Sequence, residues 1–257
     1  EDLVSRAILD AVKRSVFQNS KKGTGDTNLD IALRPSEALS YSEVSRQVDT
    51  LVDRLRKGEE SRVLVDTDGQ TASLKRGYCG LILCGSFNPL HRGHQGMLEA
   101  AKRLTGITDS AYEITIYNPD KPPLSLEEVR WRLAQFKGVS PVVLTAAPLF
   151  TDKVTLMPGC TFVVGYDTAK RILTPYYYGG KEEMIARLQC FLTSDVKVVV
   201  AGRVDADSSF RTLNDLTIPD QLAEVFRQIP EELFREDISS TQIREQIALE
   251  NAAKDSA

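Results

Sequence analysis

A chain of 257 residues, 42% apolar and 26% charged, can bury a sizeable core as one large domain or as a domain with an appendage. A formal net charge of −4 gives no pull toward nucleic acid or anionic membranes, and no apolar run approaches the roughly 18 residues of a membrane helix. Cys79, Cys84, Cys160 and Cys190 form no CxxC pair; they read as small buried thiols and suit a reducing, cytoplasmic setting.

Residues 1–76 read as an N-terminal extension, or as the tail of a preceding domain. Leu3, Ala7, Ile8, Ala11 and Val12 recur at helical spacing, and polar residues from Gln18 to Asp30 then break the pattern. A second amphipathic helix is predicted near Tyr41 to Lys57, with Val44, Val48, Leu51, Val52 and Leu55 on one face. Arg62 to Lys75 alternates around Asp68-Gly69, a dipeptide favoured at hairpin turns. No catalytic constellation is visible in this segment.

Residues 77–257 change rhythm. Tyr78 to Leu83 is a continuous apolar run, suited to a strand buried on both faces. Helix is predicted from Gly93 to Leu104, strand from Tyr112 to Tyr117, and helix from Leu126 to Phe136. Val142 to Thr145, Thr161 to Val164 and Val196 to Ala201 are further strands; Lys181 to Leu192 and Gln221 to Gln228 are further helices. This alternation predicts an α/β fold, a Rossmann-like doubly wound parallel sheet, carrying the N-terminal helical and hairpin extension. In such sheets ligands bind beyond the carboxyl ends of the strands, which directs attention to the loops after Leu83, Tyr117, Val164 and Ala201.

The first of those loops reads Gly85-Ser86-Phe87-Asn88-Pro89-Leu90-His91-Arg92-Gly93-His94. Gly85 lets the backbone turn sharply after the strand. His91 and His94, the only histidines in the chain, fall where the next helix begins. Free N–H groups and the macrodipole make that terminus favourable for phosphate, and the imidazoles add donors there. A zinc pair would need a third ligand, and none is visible nearby in sequence. A second phosphate-binding terminus is suggested by Ile238-Ser239-Ser240-Thr241-Gln242-Ile243-Arg244, before the last helix: Ser239 or Ser240 suits an N-cap, and Arg244 adds a fixed positive fork.

Together these segments resemble the HxGH and ISSTxxR signatures of the nucleotidylyltransferase superfamily, in the right order, over about Gly77 to Leu249. The Gly-Ser-Phe-Asn-Pro lead-in is most similar to that of nicotinamide or nicotinate mononucleotide adenylyltransferases. The resemblance implies AMP transfer from ATP to a phosphorylated acceptor, with pyrophosphate released and Mg2+ bridging the phosphates rather than held by dedicated protein ligands. It implies catalytic roles for His91, His94 and Arg244, and nucleotide contacts from Gly85, Ser86, Phe87, Gly93, Ser239, Ser240 and Thr241. Val164-Gly165-Tyr166-Asp167 is similar to the family's GxD segment, which adds Gly165 and Asp167 to the nucleotide set. Arg203 stands at a strand end where the family often carries an arginine. Asn118 and Lys121 match the loop that holds the acceptor.

Two features depart from the pattern. The sole tryptophan, Trp131, lies inside a predicted helix rather than where the pyridine ring would stack, and Tyr176-Tyr177-Tyr178 suits either ring stacking or a packed turn. The rival readings are a cytidylyltransferase acting on an alcohol phosphate and a non-catalytic nucleotide sensor. A related aminoacyl-tRNA synthetase would need a tRNA-binding domain and a basic surface. No nucleic-acid or membrane partner is expected, and a homo-oligomer is compatible with the sequence. In position and helical pattern, Glu1 to Phe17 also resembles the last helix of a CinA-like domain fused ahead of a nucleotidylyltransferase.

Overall fold

The structure, a computed structural model, describes residues 47–74, 78–205, 208–238 and 240–255. The helix read around Leu3 to Val12, and the start of the one read from Tyr41, lie outside these residues. The described part of the latter forms helix α1 over 47–56 and buries Val48, Val52 and Leu55.

The predicted hairpin follows as β1 (Arg62–Val65) and β2 (Thr71–Ser73). Its turn is closed by the Asp66 carboxylate, which accepts from the backbone N–H groups of Asp68 and Gln70 at 3.0 and 2.8 Å. The remaining strands are β3 (Leu81–Cys84), β4 (Ser110–Thr115), β5 (Val142–Thr145), β6 (Thr161–Gly165), β7 (Lys197–Ala201) and, after a short hairpin of β8 (Arg203–Val204) with β9 (Phe210–Arg211), β10 (Phe226–Ile229). The main sheet runs β10-β7-β6-β3-β4-β5-β1-β2. Its six strands from β10 to β5 are parallel, and β1 and β2 extend the β5 edge antiparallel.

Alternation along the strands builds a core on each face. Leu81, Leu83, Tyr112, Ile114, Val163 and Val199 point to one side, where they meet α1, α2 (Arg92–Thr105) and α3 (Leu126–Ala134). Ile82, Phe162, Val164, Val198 and Val200 point to the other, packed against α4 (Phe150–Leu156), α5 (Tyr166–Ile172) and α6 (Lys181–Thr193). This is the doubly wound arrangement expected, with helices on both faces. No described helix is long and apolar enough to cross a membrane.

One element corrects the sequence reading. The helix expected from Gln221 to Gln228 is instead a 3-10 turn over Asp220–Val225 that runs straight into β10. Phe226 and Ile229 are buried on opposite faces of the sheet, which strand parity allows, and β10 pairs in parallel with β7 from Val198 to Ala201. Tertiary pairing at the edge overrides a weak helical pattern.

Candidate active site

The chain order β3, β4, β5 on one side and β6, β7, β10 on the other reverses between β3 and β6, the switch point at which such sheets leave a crevice. A cleft of about 1120 Å³ opens there. Its floor includes Cys84, Glu113 and Gly165, from the carboxyl ends of β3, β4 and β6, with Gly202 just beyond β7.

The loop after β3 is shaped from below. Phe87 has φ 45°, a region that costs a bulky residue about 1–3 kcal/mol, and its ring is 1% exposed. The ring packs edge-on against His94, Tyr112 and Phe136 at 4.9, 5.2 and 5.3 Å between centroids. Gly85 has no room for a side chain, since a Cβ would fall 2.8 Å from the Phe87 ring. Gln135 grips the loop from α3: its Nε2–H donates to Phe87 O at 2.9 Å, and its Oε1 accepts from Leu90 N–H at 2.7 Å.

His91 caps α2 in extended conformation. Its backbone N–H donates to His94 Nδ1 at 3.2 Å, and the two imidazoles stack 3.7 Å apart. With Nδ1 accepting, the proton of a neutral His94 sits on Nε2. Burial, reinforced by His91 alongside, pushes the His94 pKa down to about 3. Burial also lowers His91, against the opposing pull of the Glu236 carboxylate. The cleft therefore presents His94 as a neutral N–H donor near neutral pH. Gly93 allows the pair to close up, because a Cβ there would meet His91 Nδ1 and Ile238 Cγ2, both at 3.0 Å.

The start of α7 (Ser240–Asp255) is hydrogen-bonded to the same loop across some 150 residues of chain. Ser240 Oγ–H donates to Pro89 O at 3.1 Å, and Arg244 donates to Asn88 O at 2.6 Å and to Thr241 Oγ1 at 3.0 Å. The structure thus brings the two sequence signatures into one unit.

Of the residues singled out in the sequence, Gly85, Ser86, His91, Gly93, His94, Asn118, Lys121, Gly165, Asp167, Arg203, Ser240 and Arg244 border the cleft. Phe87 lies beneath the loop and Thr241 turns to Arg244, so the structure gives both a supporting position; Ser239 lies outside the described residues. Asp167, in the first turn of α5, is ion-paired with Arg203. Asn118 and Lys121 close a tight loop on each other, and Asp120 within it accepts from Tyr177 Oη–H at 3.2 Å and lies 3.7 Å from Arg171. In the tyrosine run, Tyr177 and Tyr178 border the cleft, Tyr178 being largely buried and donating to Ile172 O at 2.9 Å, and Tyr176 is exposed. Trp131 does not border the cleft.

Sequence reading missed a charged pair in the cleft floor. Lys153 Nζ donates to Glu113 Oε1 at 2.6 Å, with 4% and 1% of the side chains exposed, and Thr145 Oγ1–H donates to the same oxygen at 2.6 Å. Burial, reinforced by the Glu113 carboxylate, holds the neighbouring Cys84 thiol well above its usual pKa. Glu113 was detectable, being the one charged residue in the apolar run Tyr112 to Ile116. Lys153 carried no local signal.

A sequence model of a known family, described as cytidylyltransferase-like, matches residues 82–246, more than half of the chain. The chain belongs to the cytidylyltransferase-like family. Membership supports nucleotidyltransferase activity in general, and the match spans both the His loop and the start of α7. No curated protein sequence gives a significant match to the chain.

Proposed function

We propose that the chain transfers AMP from ATP to the phosphate of nicotinamide or nicotinate mononucleotide, releasing pyrophosphate. The observation that carries the reading is the joined His loop and α7 terminus: a neutral His94 N–H, His91, Ser240 and Arg244 gathered at the switch point of a Rossmann-like sheet. The cleft, about 1120 Å³, exceeds the roughly 300–1,000 Å³ of a pocket for one small ligand, as a two-substrate reaction requires. The choice of acceptor rests on the Gly-Ser-Phe-Asn-Pro lead-in.

The acceptor phosphate is already an anion, so no base is needed to make the nucleophile. It attacks the α-phosphorus in line, the new P–O bond forms as the bond to the β-phosphate oxygen breaks, and pyrophosphate leaves. Catalysis is then positioning and charge stabilisation. His94 Nε2–H donates to the α-phosphate oxygens as charge builds up, and His91 holds the neighbouring phosphate. Ser240 and Arg244 steady the departing β and γ groups, and Asn118 and Lys121 hold the acceptor. The cleft carboxylates Glu113, Asp120 and Asp167 already face Lys153, Arg171 and Arg203. Among the described residues no group of three or more His, Cys, Asp or Glu is set to hold a metal. In this reading Mg2+ would enter on phosphate oxygens and water, where its charge would offset that of the triphosphate.

The test is pyrophosphate release with Mg2+ and ATP or CTP, each with and without either mononucleotide. Release that requires ATP and a pyridine mononucleotide is the expected result. Release with CTP and an alcohol phosphate would replace the reading, and triphosphate binding without release under any pairing would make the protein a sensor.

A further inference from the structure

Arg132 is 7% exposed, yet it borders the cleft from α3. Its Nε is buried without a hydrogen-bond partner, and its nearest carboxylate, Glu128, half exposed one turn earlier, stands 3.8 Å from Nη2. The other cleft cations are differently placed. Lys153 and Arg203 are hydrogen-bonded to carboxylates, Arg171 is exposed beside Asp120, Arg244 is hydrogen-bonded to Asn88 O, and Lys121 is exposed. A guanidinium stays charged and offers five N–H donors in a rigid fork that fits phosphate or carboxylate with two parallel bonds. Burying one without such partners is costly, and a native orphan of this kind calls for a partner that arrives from outside.

The position of Arg132 narrows that partner. Gln135, on the next turn, holds Phe87 and Leu90 of the His loop, so Arg132 stands beside the loop that carries His91 and His94. We propose that Arg132 binds a phosphate group of the reacting substrates, and that its buried, unbonded Nε–H is a donor held for that anion. The inference rests on the nucleotidyl-transfer reading for the identity of the anion, which is either the acceptor phosphate or an oxygen of the triphosphate.

Arg132→Met, close in length and uncharged, and Arg132→Lys, which keeps the charge but loses the fork, test it in the full chain. Thermal melting without ligand comes first: Arg132→Met should melt close to the wild-type temperature, because the buried guanidinium has an unsatisfied Nε and only a long ion pair to the half-exposed Glu128. Calorimetric titration with ATP, nicotinamide mononucleotide and pyrophosphate follows, each alone. A tenfold or greater weakening confined to the mononucleotide assigns the acceptor phosphate; the same loss for ATP and pyrophosphate assigns the triphosphate. Arg132→Lys should fall between wild type and Arg132→Met. Binding of all three probes within twofold of wild type in Arg132→Met, or a wild-type protein that binds none of them, overturns the inference. Wild-type protein that binds these probes without turnover removes the transfer reading while leaving the Arg132 comparison readable.

Discussion

Replacing Lys153 with methionine would leave the Glu113 carboxylate, 1% exposed, without its countercharge. At the observed 2.6 Å the attraction between the two charges is about 6 kcal/mol at an effective dielectric of 20. Removing the two ions from water costs several kcal/mol each, so the intact pair contributes little net stability. Breaking it is another matter. The surviving charge keeps its desolvation cost and loses its partner, and such changes destabilise by about 3–5 kcal/mol. Thr145 Oγ1–H donates to Glu113 in wild type and variant alike, so that bond does not enter the difference. Lys153→Met should therefore lose about 3–5 kcal/mol of unfolding free energy, and Glu113→Gln a similar amount. The double variant Glu113→Gln/Lys153→Met should recover most of the loss. Urea unfolding of all four proteins at pH 7 gives the cycle, and a coupling energy of about 2 kcal/mol or more is expected. Single variants within about 0.5 kcal/mol of wild type, combining additively, would mean that the pair is not closed in solution and would refute the reasoning.

The site makes further predictions of its own. If the proposed transfer holds, His94→Ala should lower kcat far more than it raises KM, since its N–H bond would strengthen as charge develops on the α-phosphate; near-normal turnover would remove the role. Gly93→Ala would push a methyl to within 3.0 Å of His91 Nδ1 and Ile238 Cγ2, so kcat/KM should fall at least about tenfold with little loss of melting temperature; an active variant would mean that the loop yields cheaply. The depressed His94 pKa fixes a sign for pH dependence. The folded state keeps this imidazole neutral down to about 3, while the unfolded chain protonates it near the ordinary 6.5, so its contribution is complete above 6.5 and is lost as pH falls from there toward 3. The wild-type stability profile, compared with that of His94→Gln, should steepen over that window by up to about 1.4 kcal/mol per pH unit, and parallel profiles would contradict the assignment.

How much of this was legible in the sequence depends on the reach of each signal. The β3 run, the His loop and the α2 stripe are local patterns, and each maps onto its element within a few residues. The paired signatures at Gly85–His94 and Ile238–Arg244 were recognisable because each opens a helix. The edge strand β10 was not, because Phe226 to Ile229 becomes a strand only by pairing with β7. The same limit hid the cleft floor. Glu113 announces a partner but cannot name it, and Lys153 enters from α4, 40 residues further on. Arg132 sits among charged neighbours in an unremarkable amphipathic helix. Its burial is a property of the assembled fold.

The signature loop does not hold itself in place. Phe87 sits in a left-handed conformation that costs energy, and the hydrogen bonds that stabilise the loop come largely from elsewhere: Gln135 on α3, and Ser240 and Arg244 on α7. Arg244 is central to this arrangement, since two of its five donors already bind Asn88 O and Thr241 Oγ1. A triphosphate contacting the remaining donors would act on the group that also holds the loop carrying His91 and His94. An Arg244→Lys substitution separates the two duties, because a point charge can still attract phosphate but cannot fork between Asn88 O and a ligand. Its KM for ATP should rise modestly while kcat falls further, as His94 loses its position. A rise in KM alone, with kcat unchanged, would mean that Arg244 serves the phosphate only and that Gln135 is enough to hold the loop.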